Sequence, residues 1–373
     1  MCFDAKISPP MGKSLHKDIL SVLKSASPSP PEGNHLRRLT VLACMVCSCI
    51  QTKSSSLEGL SSEKAGSDKQ SESRVKQSGR WLSSKWTDWG TFFAPFARRM
   101  LAALGRSKGE LVLVVDGSQT GSGNTTLMVS VLCKGYAIPL AWLTKKGEKG
   151  HFPEQMHLDL AALVDQLLPG GCRVVFLGDG EFDGLKLRTA CKGYGWEFVL
   201  RTSTDRKVDC GGESAQLRSL CPHKGEEIAF VEDACDGDNA ICWHGKGHKD
   251  PVLLLTNMDL GAMACDYYRR RFKVETLFKC LKSGGFKLDK SRVEAPEKLK
   301  NLLIVVAFAF IFTFSIGVLL KLTDPETIAK ITRYDRLDKI HPITLAQKCI
   351  SKYLHLATLI FSNLSKNCFG FFT

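Results

Sequence analysis

Asp116 and Asp179 each close a continuous apolar run, LVLVVD and RVVFLGD, of the kind that fills a buried strand. In open α/β sheets, functional groups gather where strands end. Taken alone, these residues admit two readings. Each aspartate precedes a glycine, and Asp-Gly is a common turn pair, so both can simply shape turns. Alternatively, the two carboxylates meet, repel each other and need a divalent cation to stay together. A third carboxylate tips the balance toward the cation. Glu275 sits in the basic stretch YRRRFKVETLFKCLK, where Tyr268, Arg271, Glu275 and Lys282 follow the spacing Y-(2)-R-(3)-E-(6)-K. On one continuous helix Arg271, Glu275 and Lys282 share a face, with Tyr268 one turn before Arg271. A glutamate set among arginines and lysines suits metal ligation at a phosphate-binding surface.

The elements that must position these groups read βββ-α-β-α-β. After LVLVVD come TTLMVSVLCKG and YAIPLAWLT, two strand-like runs joined by a Lys-Gly turn. Residues 152–168 read as an amphipathic helix, 173–178 as a buried strand, 182–192 as a helix and WEFVLRT as a fifth strand. Residues 205–251 are polar and irregular, and PVLLLTN restores a strand. A basic helix is expected over 263–281 and an apolar one over 298–321, with weak helices in the tail. Near the start, SASPSPPEGN reads as a linker or frayed end. Residues 35–51 form an apolar helix with a basic start, and 52–80 an exposed connection without aromatics. A short segment then brings together Trp81, Trp86, Trp89, Phe92, Phe93 and Phe96, interleaved with Arg80, Lys85, Arg98 and Arg99. This is expected to be the core of a small helical module, with base stacking a secondary role.

Lysine plus arginine number 51 against 38 aspartate plus glutamate, a net +13 that points to a polyanionic partner. Residues 268–300 hold eleven basic and four acidic residues, so +7 of that surplus lies in and beside the Glu275 segment. Fifteen scattered cysteines and a polar start without an apolar leader are expected to mean reduced thiols and a cytoplasmic, nucleoid-associated protein. The uncharged stretch 302–320 is long enough to span a bilayer, but an α/β sheet needs an apolar helix to cover it, so no membrane is expected. Cys210, Cys221, His223, Cys235, Cys242, His244 and His248 cluster without a C-x-x-C pair, and ordinary packing is expected there rather than zinc.

The Y-R-E-K stretch, the apolar strand ending in DGS at Asp116 and the segment LGDGEFDG at Asp179 resemble the DDE transposases of bacterial insertion sequences, in the branch known as insertion sequence family four. The resemblance implies an α/β fold: an RNase H-like mixed-sheet catalytic core with a short β-rich insertion and a helical N-terminal DNA-binding region. Residues 1–34 are then a flexible N-terminus and 35–105 the DNA-binding region. Residues 106–204 with 252–322 form the core, 205–251 the insertion subdomain, and 323–373 a helical tail that serves dimerisation. Asp116, Asp179 and Glu275 are implied as the catalytic, metal-binding triad for two Mg²⁺ ions, with Mn²⁺ able to substitute. Tyr268, Arg271 and Lys282 are implied to grip phosphates, helped by Arg269, Arg270 and Lys273. Trp243 is implied as a DNA-binding residue that stacks on a flipped base, although ordinary packing in a hairpin is the expectation from its residue type alone. The implied partner is double-stranded DNA, both the element's terminal inverted repeats and a target, handled by a homodimer. The alternative is a transposase-derived DNA-binding protein that no longer cuts.

One departure bears on the site. The family often reads Asp-Arg-Gly-Phe or Asp-Arg-Glu-Phe after the second aspartate, where this chain has Asp179-Gly180-Glu181-Phe182-Asp183. Glu181 and Asp183 therefore compete as ligands. Asp179 is favoured because it ends the strand directly, and Asp183 is expected to cap the next helix.

Overall fold

The computed structural model describes residues 12–62, 71–147, 152–225, 228–245, 249–323 and 340–373. Three long strands come first: β1 (Glu110–Gly121), β2 (Asn124–Cys133) and β3 (Tyr136–Lys146). They form an antiparallel meander. Lys134 and Gly135, in the turn between β2 and β3, both have positive φ, the conformation of a tight two-residue hairpin turn. Helix α7 (Glu154–Asp165) then crosses to β4 (Arg173–Gly178), and α8 (Leu185–Gly193) to β5 (Glu197–Arg201). Both β4 and β5 run parallel to β1. This is the βββ-α-β-α-β order read from the apolar runs, and buried valine, leucine and phenylalanine side chains line these strands.

Four further strands follow: β6 (Lys207–Asp209), β7 (Ser214–Gln216), β8 (Ala229–Cys235) and β9 (Asp238–Trp243). The first two pair only with each other, whereas β8 and β9 attach to the main sheet through β10 (Val252–Thr256), which lies antiparallel to β5. The result is a mixed sheet of eight strands in the order β3-β2-β1-β4-β5-β10-β9-β8. A second, small apolar cluster sits under β6, β8 and β9, with Val208, Leu217, Ala240, Cys242 and Leu255 buried.

Toward the N-terminus, α1 (Gly12–Ala26) is a packed helix, although the proline- and serine-rich segment after it reads as a loose end. Leu15, Ile19, Val22 and Leu23 recur at helical spacing and are buried against α2 (Gly33–Thr52) and the last helix, Leu354–Lys366. Helices α3 (Leu57–Leu60), α4 (Ser71–Ser83), α5 (Trp89–Phe92) and α6 (Ala94–Lys108) complete the N-terminal module.

The apolar stretch near residue 300 forms α11 (Pro296–Thr323), which is long and apolar enough to cross a membrane. It is instead wrapped by protein, with 94% of its most apolar window buried. Phe308, Phe310, Phe312 and Phe314 are fully buried and meet Phe93, Phe96, Phe286 and Phe361. Each such ring is worth roughly 1.5–3 kcal/mol of burial, which makes this helix the centre of the core. Three side-chain bonds tie its start to the sheet and the N-terminal module. Trp142 Nε1 donates to the Lys300 carbonyl (3.0 Å), Thr144 Oγ1 to that of Pro296 (2.9 Å), and Asn301 Nδ2 to that of Leu82 (2.9 Å). At Gly317 the backbone of helix Pro342–Lys352 comes so close that a Cβ would strike the Pro342 carbonyl, so only glycine fits.

Candidate functional site

The parallel pairing of β1 with β4 brings Val114 opposite Leu177. Two residues further along each chain stand Asp116 and Asp179, at matching register positions of neighbouring strands. Asp179 directly follows β4, but Asp116 does not end its strand as its apolar run suggested: β1 continues to Gly121 because it stays paired with β2. Both aspartates are partly buried. Asp116 Oδ1 accepts from the Gly117 N–H (2.8 Å), and Asp179 Oδ1 from the Glu181 N–H (3.1 Å). Such local bonds fix the carboxylates without neutralising them.

The competing acids after Asp179 are engaged elsewhere. Glu181 Oε1 accepts the Phe152 N–H and lies 3.9 Å from His157 Nε2. Asp183 does not cap α8, whose N-cap is Gly184. Its Oδ2 instead accepts from Thr202 Oγ1 (2.6 Å) and pairs with Arg206. The chain cannot spend that carboxylate on a cap because Arg206, on the β6 side, claims it first. Arg188 adds a second tie. It is almost fully buried, donates to the Asp183 carbonyl through Nε (3.1 Å), and pairs with Asp236 (2.8 Å) and with the fully buried Asp238. Burial opposes its charge, but the bonds to Asp236 and Asp238 raise its pKa above the ordinary arginine value. The loop after Asp179 is thus clamped to the β8–β9 hairpin.

The basic stretch is not one helix. It divides into α9 (Gly261–Arg270) and α10 (Lys273–Lys279), followed by a π-helical turn over Cys280–Gly284. At the break the backbone bonds shorten to three residues, from the N–H groups of Arg271, Val274 and Glu275 to the carbonyls of Tyr268, Arg271 and Phe272. Tight and wide turns change the angle between successive side chains, so the single face expected for Arg271, Glu275 and Lys282 is redrawn. The segment is still anchored over β1. Lys282 Nζ donates to Ser118 Oγ (2.9 Å), and Ser118 projects from the same strand face as Asp116. Beyond it, Asn124 Nδ2 donates to the carbonyls of Val293 and Glu294, fastening the exposed Lys287, Lys290 and Arg292 beside the β1–β2 turn.

Tyr268 is buried and Arg271 nearly so, with its guanidinium 5.8 Å from the Tyr268 ring centre and 5.1 Å from that of Phe272. Burial raises the Tyr268 pKa, opposed by the Arg271 and Arg201 charges and reinforced by that of Asp179. Among the described residues no hydrogen-bond partner reaches the buried Nε of Arg271. Its Nη2 lies 3.7 Å from Glu275 Oε1, and the Glu275 side chain is 59% exposed. Glu275 thus faces Arg271. Among the described residues no three His, Cys, Asp or Glu side chains converge on a point where a metal ion could sit. Asp116 and Asp179, on neighbouring strands, offer the hard carboxylate oxygens that a cation such as Mg²⁺ takes.

Other basic residues of the stretch point elsewhere. Arg270 lies over the Tyr267 ring and 3.9 Å from Glu110, at the start of β1 and about 20 Å from Asp116 at strand rise. Arg269 pairs with Asp266 (2.6 Å) and covers Trp243, which is buried in β9. Lys273 lines a small cavity with Tyr136, Thr276, Phe310 and His341. In the polar region, Cys221 and Cys242 are neighbours, and His248 lies outside the described residues. Two parts of this site carried no sequence signal: the clamp from Arg206 and Arg188, which depends on long-range pairing, and the anchoring Ser118.

Residues 154–312 match the family described as "Transposase DDE domain". The matched stretch spans Asp179 and Glu275 and begins after Asp116. The chain has a transposase function and is an enzyme of that type. No curated protein matches it. Among solved structures it is similar to the piggyBac transposase synaptic complex with hairpin DNA, solved by cryo-EM, at 13% identity and a TM-score of 0.48. That match covers 94% of this chain and 84% of the other.

Proposed function

We propose that this transposase binds the ends of its own insertion sequence, cuts them and joins them to target DNA, with Asp116, Asp179 and Glu275 as its metal-binding carboxylates. The observation that carries this reading is the matching register of Asp116 and Asp179 on the neighbouring strands β1 and β4, beside a helical segment whose Lys282 is anchored two residues from Asp116. The Y-(2)-R-(3)-E-(6)-K spacing extends the reading to insertion sequence family four. Mg²⁺ suits the all-carboxylate donor set, and Mn²⁺ shares its preference for oxygen. When bound, the metal supplies Lewis acidity that activates an attacking water or 3′-hydroxyl and stabilises the leaving oxygen. For Glu275 to join the aspartates, its carboxylate must leave Arg271.

The protein's own groups do the rest. Arg271 offers a guanidinium whose Nε–H has no partner among the described residues, suited to a phosphate oxygen beside the bond to be cut. Lys282, Lys287, Lys290 and Arg292 extend the positive surface along which a duplex backbone runs, giving salt-dependent affinity. Residues 35–105 add DNA contacts, the tail 323–373 pairs two protomers so that both element ends are held together, and no membrane is involved. The protein works in the cytoplasm, on the nucleoid.

DNA affinity tests the phosphate role. Arg271→Ala is expected to weaken binding of a duplex bearing the element's end and to reduce the slope of log K against log salt by about 1. An unchanged salt slope means that Arg271 meets no phosphate.

A further inference from the structure

Of the aromatics clustered between residues 81 and 96, Trp81, Trp89, Phe92, Phe93 and Phe96 are buried, as a module core requires. Trp86 is the exception, with 61% of its surface exposed. It sits in the short loop between α4 and α5, and that loop is firmly built. The Thr87 N–H donates to the Ser84 carbonyl (3.0 Å), the Trp86 N–H to Ser84 Oγ (3.2 Å), and Asp88 caps α5 by accepting the Thr91 N–H (2.8 Å). The ring carries two cations. Lys85 Nζ lies 5.3 Å and the Arg38 guanidinium 5.9 Å from its centre. Arg38 is held there because Trp81 Nε1 donates to its carbonyl (3.1 Å), locking α2 against α4. Arg37 and Arg80, next in sequence to these anchors, are exposed as well.

An exposed indole costs hydrophobic free energy, and a rigid loop that holds one among cations is suited to a planar, electron-rich ligand with a negative charge beside it. A nucleotide has that combination: the base stacks on the ring and the phosphates meet Arg38 and Lys85. An acidic peptide would satisfy the cations but leave the indole face in water. We propose that Trp86, Arg38 and Lys85 form a stacking site for an unpaired DNA base, separate from the carboxylate site and on the N-terminal module. This rests on the transposase reading, because end processing exposes unpaired nucleotides.

The test measures binding of fluorescein-labelled DNA by anisotropy, using the full chain with oligodeoxythymidine and with a blunt duplex carrying the element's end. Trp86→Ala is expected to weaken single-strand binding by roughly 5- to 150-fold, the range for losing one base stack. Trp86→Phe should restore most of it, and duplex binding should change far less. Trp86 is exposed, so both variants should fold, as circular dichroism can confirm. If Trp86→Ala binds the single strand as tightly as the wild type, or if Phe fails to rescue, the stacking site is overturned while the transposase reading stands. If the wild type binds neither DNA, both readings fail.

Discussion

Asp179→Asn is expected to lower DNA cleavage by about 10³-fold, the effect of losing roughly 4 kcal/mol of metal-assisted stabilisation, while DNA affinity is kept. Asparagine preserves the shape of the side chain and its bond from the Glu181 N–H, but removes the charge that a cation needs. Asp183→Asn provides the internal control. It breaks the pair with Arg206 and loosens the loop, so it should cost stability and reduce cleavage only modestly. Glu181→Gln should behave similarly, since its oxygen accepts the Phe152 N–H beside buried His157. Should Asp183→Asn or Glu181→Gln abolish cleavage while Asp179→Asn spares it, the second carboxylate has been misassigned.

The second large effect is on stability. Arg188→Met leaves Asp238 with no exposed surface and without its buried partner, a situation that costs about 3–5 kcal/mol. Lys192 also reaches Asp238 (2.5 Å) from a partly exposed position and offsets part of the loss, so the lower end of that range is expected. Replacing both partners, Arg188→Met with Asp238→Leu, should recover most of the stability, because a well-packed apolar pair can substitute for a buried ion pair. Urea unfolding of the single and double variants measures this. A single-variant loss below about 1 kcal/mol, or a double variant no better than the single, would show that the clamp is not holding the loop.

How much of this was legible beforehand depends on whether the signal was local. The strands of the meander, β4 and β5 are largely apolar runs bounded by turn residues, so their order and the place of Asp179 after β4 could be read directly, whereas the polar continuation of β1 past Asp116 to Gly121 could not. The apolar helix α11 was equally plain, and its burial follows from the need to cover the sheet. Pairing between distant segments left no such trace. Nothing in residues 229–256 announces that β8 and β9 extend the main sheet through β10, since short polar strands look alike whether they pair locally or not. The break at Arg271 was hidden for a different reason. YRRRFKVE contains no glycine or proline to announce a break, and the tightened turn falls between buried Tyr268 and buried Val274. Helix α1 was masked by the prolines that follow it. Spacing placed Trp86 with its aromatic neighbours, and only the loop built on Ser84 turns it outward.

The most direct measurement incubates purified protein with a plasmid carrying the native gene and its flanking DNA, with Mg²⁺ or Mn²⁺ or with EDTA, beside a Glu275→Gln variant. Breaks at the element's borders that require both the metal and Glu275 are the expected result. If the protein binds the plasmid and no metal produces cuts, or if Glu275→Gln cuts as well as the wild type, the carboxylates are not the catalytic centre of a working transposase.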